Sequence, residues 1–289
     1  MSADTARRRR AIRRTKVLGR YLLLTVLAVI VFFPIYITVV NSLLTPGEIM
    51  QLPPTDEIVM VAGIPPIRAR KARYYEDARF KERVDYLVRE MKEVQDKQGD
   101  GYLGALANGK EQFIEVSKGN IRSASFDLNG MWSPWYTLHK TYAGLRDAYR
   151  YTGNRTALEL EIKFAAWCES IMSKLDDAQT QKMLNTEFGG MNEVLADLYA
   201  DTGDKRWLAL SHRFDHRAVM DPLARKEDIL NGLHGNTQVP KLHGLLMRYA
   251  YTGDKTDGDA AQFFWDIVAK HHSFATGGHG KDEYFGPAD

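Results

Sequence analysis

Cysteine is almost absent from this chain of 289 residues, in which Cys168 is the single example. One thiol excludes an internal disulfide framework, and it excludes a metal site built from several thiolates of this chain. The chain also lacks a large excess of either charge, because it has 39 basic and 37 acidic side chains. A nucleic-acid-binding domain needs a basic surface, so the near balance argues against a nucleic-acid partner.

The positive charge is concentrated at the amino terminus. Eight Lys and Arg residues precede position 21, against one acidic residue, Asp4. Tyr21 to Val40 then has no charged side chain, and a helix of about 20 residues spans roughly 30 Å, the thickness of a hydrocarbon core. We expect a basic cytoplasmic flank (1–20) and one transmembrane helix (21–45), with the remaining chain outside. A cleaved signal peptide and a buried soluble helix are the alternatives.

The same region carries a family resemblance. Residues of about 10–54, with the elements FFPIY and NSL after a basic start, resemble the first membrane helix of sugar-type ABC transporter permeases. A permease needs several further spans, and the sequence has no second long uncharged stretch, so transport by this chain alone is excluded. Residues 46–70 contain paired prolines and no helical period, which predicts a linker or junction.

The chain from residue 71 has helical periodicity. An apolar stripe at three- and four-residue spacing predicts a first helix, and its members are Phe80, Val84, Leu87, Val88, Met91 and Val94. The segments YRYTGN, YADTGD and YAYTGD follow, beginning at Tyr149, Tyr199 and Tyr249, fifty residues apart. In each copy the Thr-Gly-Asn/Asp turn ends one apolar helix, and another helix follows. The repeating unit is therefore a helical hairpin, which must stack on its neighbours to bury both faces.

The loops that precede each repeat favour a barrel over a solenoid. They read NGMWSPWYTLHK, LNTEFGGMNE and NGLHGNTQVPKLHG, and a fourth, ATGGHGKDEYF, arrives in phase with them. Equivalent loops gather on one rim, and loops on a rigid scaffold carry function. Their amide, imidazole, carboxylate and aromatic side chains suit a sugar. We therefore predict an all-α fold in which residues 71–289 form an incomplete (α/α)₆ barrel of four to five hairpins.

The same motifs resemble a known family. MWSPWYTLHKTYAGLRDAYRYTGN, MLNTEFGGMNEVLADLYADTGD and FFWDIVAKHHSFATGGHGKDEYF are similar to sequences of β-L-arabinofuranosidase-type glycoside hydrolases, family 127 and its relatives. The resemblance covers residues 71–289. It implies an α/α barrel, removal of terminal L-arabinofuranose from plant glycans, and a retaining mechanism with a zinc-bound cysteine nucleophile and a glutamate acid/base.

Candidate site residues follow from the resemblance and from the rim. The resemblance makes Glu283 the acid/base glutamate, although a surface glutamate is the alternative. Residues predicted to contact the sugar are Trp135, His139, Glu187, Asn192, Glu193, His234, Asn236 and Gln238. A packed core histidine is the alternative for His139, and helix capping is the alternative for Asn192. No metal site is predicted, and the paired His212 and His216 are not interpreted as one.

The sequence also departs from the family. In family members the zinc ligands, the nucleophile among them, follow the acid/base glutamate, whereas this sequence has only Cys168, which we expect to be a buried apolar residue. We therefore expect no cofactor in this chain, zinc being implied for complete members, and no catalysis by this chain alone. The alternatives are a membrane-anchored, non-catalytic sugar-binding protein and a permease fragment fused to a glycosidase fragment. The expected partners are L-arabinofuranosides or plant glycans, and the membrane.

Overall fold

The computed structural model describes residue 21 and residues 56–59, 67–71, 76–275 and 277–288. The chain divides into two compact units, residues 1–73 and 74–289. The predicted membrane helix, 21–45, lies outside the described residues apart from Tyr21. In the part that is described, no helix is both long and apolar enough to cross a membrane.

A β-hairpin occupies part of the predicted junction. Strands β1 (Asp56–Val59) and β2 (Ile67–Arg70) are antiparallel, with Asp56 opposite Arg70. The Arg68 guanidinium forms an ion pair of 2.6 Å with the Asp56 carboxylate across the two strands. Exposed cross-strand pairs of this kind add little stability, so the hairpin rests mainly on its backbone hydrogen bonds.

Helices make up most of the second unit. They are α1 (Ala78–Gln98), α2 (Gly109–Ser117), α3 (Pro134–Thr152), α4 (Arg155–Met172), α5 (Asp177–Met183), α6 (Met191–Thr202), α7 (Lys205–His212), α8 (Arg217–Ala224), α9 (Gly235–Thr252) and α10 (Lys255–His271). The hairpins α3–α4, α6–α7 and α9–α10 are the three predicted repeats. Their first helices pack side by side, with α6 between α3 and α9, and each second helix packs on its own partner. The predicted helical architecture is confirmed, and it is consistent with a helical barrel.

The all-α prediction omitted a small antiparallel sheet. It consists of β3 (Ser123–Ala124), β4 (Asp127–Leu128) and β5 (Met131–Trp132), in that order. Asn129 and Gly130 both have positive φ, 54° and 83°, which matches the two-residue turn that Asn-Gly favours in hairpins. The Asn129 side chain also accepts from the Arg122 N–H and donates to the Asn120 carbonyl. This Asn-Gly pair is the sequence signal for the sheet.

The Thr-Gly-Asn/Asp turn does the same work in all three hairpins. Gly153, Gly203 and Gly253 are left-handed, with φ of 73°, 73° and 74°, and each N–H bonds to a tyrosine carbonyl of the preceding helix. The next residue caps the following helix, since its side chain accepts from a backbone N–H of that helix. These caps are Asn154, Asp204 and Asp254. One tripeptide therefore ends one helix and starts the next.

Helix α1 only partly follows its predicted apolar stripe. Val88 is buried, and Val84 and Met91 pack against the core. The predicted helix is confirmed, but Phe80, Leu87 and Val94 of the stripe are 42%, 58% and 47% exposed. Gln95 is buried because its amide nitrogen donates hydrogen bonds to the carbonyls of Gly101 and Leu160. An apolar side chain at this position could not make these hydrogen bonds. The buried face of α1 is therefore rotated from the one that the hydrophobic pattern marks.

Candidate functional site

Glu283 lies at the tip of a strained turn. Lys281 to Tyr284 form it, with hydrogen bonds in both directions between the backbones of its two end residues. The central residues, Asp282 and Glu283, both have positive φ, 53° and 71°. Glycine, asparagine and aspartate take such positions, so the strain falls on Glu283, whose longer side chain costs about 1–2 kcal/mol there. Backbone strain of this kind clusters at functional sites.

Backbone pairing fixes this turn to the start of α9. The Gly235 N–H donates to the Glu283 carbonyl at 2.7 Å, and the Phe285 N–H donates to the Leu233 carbonyl at 2.9 Å. The Gly232 N–H donates in turn to the Phe285 carbonyl. Phe285 is buried, so the segment also has an apolar anchor. Glu283 is therefore held in place although its side chain is 74% exposed.

A chain of hydrogen bonds links all four of the predicted rim loops. Glu283 Oε2 lies 3.1 Å from His234 Nε2, and His234 Nδ1 lies 2.8 Å from the Thr237 hydroxyl. Thr237 donates to Glu187 Oε1 at 3.4 Å, and Ser133 donates to Glu187 Oε2 at 3.1 Å. The loops before α3, α6 and α9 and the fourth loop, with Glu283, thus meet at one place, and the Thr-Gly turns are at the other ends of α3, α6 and α9.

The His234 imidazole is fixed by contacts on both of its ring nitrogens. Nδ1 lies within hydrogen-bond distance of the Thr237 hydroxyl, and Nε2 lies within hydrogen-bond distance of the Glu283 carboxyl. Rings of Phe126 and Tyr284 pack edge-on against the imidazole, with centroids 5.0 and 5.2 Å away, and hold its orientation. The exposed carboxyl of Glu283 is therefore paired with an oriented imidazole.

His139 and the two glycines of the TEFGGMNE loop are fitted to each other. A Cβ added at Gly189 would lie 2.7 Å from His139 Nδ1, and one added at Gly190 would lie 2.8 Å from Nε2. Burial lowers the pKa of His139 to about 4, so the ring is neutral at pH 7. Its Nδ1 has no hydrogen-bond partner among the described residues.

Below His139, a cavity of about 320 Å³ opens between α3, α6 and α9. Its polar lining includes Glu193 and His243, whose Oε2 and Nδ1 are 3.8 Å apart. Arg146 and Asp197 also line it, but they form an ion pair with each other at 2.8 Å. The volume is at the small end of the range of small-molecule sites, roughly 300–1,000 Å³, and suits one sugar ring.

Other predicted residues lie outside this open surface. Trp135 is completely buried, and its Nε1 donates to Met183 Sδ at 3.2 Å. Asn192 is also completely buried, where it contacts Gly244 and donates to the Lys241 carbonyl at 3.2 Å. Gln238 is buried and accepts from the Lys241 ammonium, whereas Asn236 is exposed. Trp135, Asn192 and Gln238 thus contact other parts of the protein interior. The position of a residue in a loop of the sequence does not indicate whether its side chain is buried.

Sequence reasoning missed a buried lysine beneath the loop of Glu187. The Lys241 ammonium donates to Gln238 Oε1 at 2.6 Å and to His216 Nδ1 at 3.0 Å. His216 Nε2 then donates to Asn185 Oδ1, which accounts for His216 without any metal. Burial lowers the pKa of Lys241 to about 7, and the charge of Glu187 works in the opposite direction. Lys241 lies in a polar stretch near the start of α9. In such a stretch the sequence does not distinguish a buried lysine from an exposed lysine.

The two tryptophans of the first loop differ in exposure. Trp132, at the end of β5, is 72% exposed, whereas Trp135 is buried. The Trp132 indole stacks on Phe126, with centroids 5.4 Å apart and planes 25° apart, and Phe126 is the ring that packs on His234. An exposed aromatic surface thus adjoins the Glu283–His234 pair.

Comparison with known proteins identifies similar domains. Residues 68–289 match the family model described as β-L-arabinofuranosidase, GH127 catalytic domain. A solved GH127 β-arabinofuranosidase is similar in fold, with a TM-score of 0.51 and 20% identity over 75% of this chain. A GH127 β-L-arabinofuranosidase from Geobacillus stearothermophilus T6 gives 0.50 and 18% over 75%. The chain spans 36% and 37% of those two proteins. The search of curated proteins found no match.

Proposed function

Because this chain belongs to the GH127 β-L-arabinofuranosidase catalytic-domain family, we propose that its Glu283 site acts on terminal L-arabinofuranosides. Glu283 is the acid/base carboxyl of the proposal. The observation that carries it is the contact of 3.1 Å between Glu283 Oε2 and His234 Nε2, on an exposed carboxyl that backbone pairing fixes to the start of α9. A glycosidase acid must hold a proton close to the leaving oxygen before the bond breaks.

The residues have distinct roles in this proposal. The proton passes from Glu283 to the glycosidic oxygen as the bond from that oxygen to the anomeric carbon breaks, and a nucleophile that the described residues do not supply bonds to that carbon. His234 contacts the Thr237 hydroxyl, which in turn donates to Glu187, and in this position the imidazole orients the carboxyl. The terminal furanose occupies the cavity lined by His139 and Glu193, where a neutral imidazole and a carboxylate hydrogen-bond its hydroxyls.

The zinc thiolate implied by the family resemblance does not fit the residues described here. Cys168 is completely buried within α4, and burial raises the pKa of its thiol well above the ordinary range. The described residues include no group of three or more His, Cys, Asp or Glu side chains that could hold a metal ion. We derive no step through a metal and assign no nucleophile. The burial of Cys168 favours, as a second candidate, sugar binding without turnover.

The proposal is tested first by binding. Purified full-length chain should bind methyl β-L-arabinofuranoside, measured by NMR titration, more tightly than methyl β-D-glucopyranoside. Glu283→Gln should bind it with an affinity within about threefold of that of the unaltered chain, since the terminal sugar lies in the cavity. Failure of the unaltered chain to bind the arabinofuranoside would contradict the substrate class.

The role of Glu283 is tested by supplying a nucleophile. Azide and an arabinofuranoside with a poor leaving group, such as methanol, should yield arabinosyl azide. General acid catalysis contributes about 10²–10⁴-fold, so Glu283→Gln should lower this rate strongly for methanol and much less for 4-nitrophenol. Asp282→Asn, next to it in the same turn, is the matched control. Equal rates for Glu283→Gln and the control would refute the assignment.

A further inference from the structure

The indole of Trp132 is exposed to solvent, and its exposed surface does not contribute to the stability of the fold. The side chain is 72% exposed at the end of a two-residue strand, and large aromatic side chains normally bury most of their surface. It is stacked on Phe126, which packs edge-on against His234. The three rings thus form a continuous surface from solvent to the imidazole that contacts Glu283.

The place of this surface relative to Glu283 determines what can bind there. A general acid protonates the oxygen that joins the terminal sugar to the rest of the substrate. The leaving group is attached to that oxygen, so its first ring must lie beside Glu283. The aromatic surface of Trp132 and Phe126 adjoins the same pair through His234. It is therefore next to the leaving group, while the cavity below His139 takes the terminal sugar.

The chemistry of the surface selects the class of leaving group. A sugar ring has an apolar face of C–H groups, and burying this face against an indole removes apolar area from water. The C–H hydrogens of that face carry partial positive charge, and they are attracted to the negative face of the indole. A methyl leaving group has no such face and gains nothing from Trp132. The surface thus distinguishes a glycan from a simple glycoside.

We propose that Trp132, supported by Phe126, forms a subsite for the sugar ring that carries the terminal L-arabinofuranose. This inference rests on the proposed function, because it takes the position of the leaving group from the role of Glu283. It adds a binding residue for the part of the substrate that is not cleaved off as arabinose.

Two ligands separate the subsite from the site itself. Methyl β-L-arabinofuranoside occupies the cavity only, whereas the methyl glycoside of a disaccharide with terminal β-L-arabinofuranose also reaches Trp132. We expect full-length chain to bind the disaccharide at least fivefold more tightly, as measured by NMR titration. Trp132→Ala should remove this preference without changing the affinity for methyl β-L-arabinofuranoside, and Trp132→Phe should keep most of it.

Trp265→Ala is the matched control, because Trp265 is 61% exposed on α10 and has no place in the proposed site. It should leave both affinities unchanged. If Trp132→Ala keeps the preference for the disaccharide, the subsite is refuted and the proposed function stands. If another disaccharide is bound in a Trp132-dependent way while both arabinofuranosides fail to bind, the aromatic subsite stands and the arabinofuranoside function is refuted. Absence of binding by every sugar refutes both.

Discussion

Glu161 is a completely buried carboxyl group in α4, and neither of its oxygens has a hydrogen-bond partner among the described residues. Burial raises its pKa from 4.5 to about 9, and the carboxylate of Asp201 adds to the shift. The folded chain therefore keeps a proton on Glu161 at neutral pH, which the unfolded chain releases. The stabilisation of the fold that comes from the raised pKa of Glu161 is fully present below about pH 4.5. It is lost as the pH rises toward 9, by up to about 1.4 kcal/mol per pH unit.

Glu161→Gln should remove this loss, because a neutral amide has no proton to release. We expect the rise in the free energy of unfolding, relative to wild type, to be about 4 kcal/mol larger at pH 8 than at pH 5. Urea unfolding at the two pH values measures the difference. Glu159→Gln, an exposed position on the same helix, should show no such pH dependence. A similar change at both pH values would contradict a raised pKa for Glu161.

The turn at Asp282 and Glu283 leads to a second prediction for single residues. Asp282→Gly should change the free energy of unfolding by less than about 0.5 kcal/mol, since aspartate already tolerates φ of 53°. The same change should lower the azide-dependent rate with a methanol leaving group, because a freer turn holds Glu283 less firmly. Lys226→Gly, at a φ of 61° elsewhere in the chain, should stabilise by about 1 kcal/mol without changing that rate. Unaltered turnover in Asp282→Gly would show that the rigidity of the turn does not position the acid.

At the scale of elements, the repeat was predictable because one tripeptide encodes two helix ends. Glycine in the left-handed region and a following Asn or Asp cap are local requirements, so they can be read from three letters. The convergence of Glu187, His234 and Glu283 followed from the phase of the loops. The orientations of Trp132 and Trp135 could not be predicted, because they depend on a strand of two residues that changes the side-chain period just before α3. The rotation of the buried face of α1 could not be predicted either, because it depends on the hydrogen bonds of Gln95 to residues outside that helix.

The turn itself is tested by one substitution at two places. Gly203→Ala should cost about 1–2 kcal/mol of stability, because alanine is strained at φ of 73° although nothing lies within 4 Å of the added methyl. Gly144→Ala, in the middle of α3 and equally unobstructed, should instead stabilise by about 0.5–1 kcal/mol. Thermal unfolding of both variants measures the two signs. The same sign at both positions would contradict the proposed role of the turn.

For the whole molecule, the distribution of charge along the sequence leads to a prediction about location. The basic start and the uncharged stretch after it still predict one membrane span with the amino terminus in the cytoplasm. A periplasmic reporter such as alkaline phosphatase, fused after residue 60, should therefore be active. A fusion after residue 15 should be inactive and is the control. Recovery of the full-length chain in solution without detergent would count against the span.

The pairing of Glu283 with Gly235 has a consequence for the order of folding. Forty-eight positions separate the two residues, and the whole of α9 and α10 lies between them. A chain folding from its amino terminus during synthesis can complete the hairpins of α3 and α6 before this contact exists, because those depend on nearer neighbours. Glu283 then reaches its position after Glu187 and His234, two other residues of the hydrogen-bond chain. A newly made domain should gain its core, and with it resistance to proteolysis, earlier than it gains a competent acid.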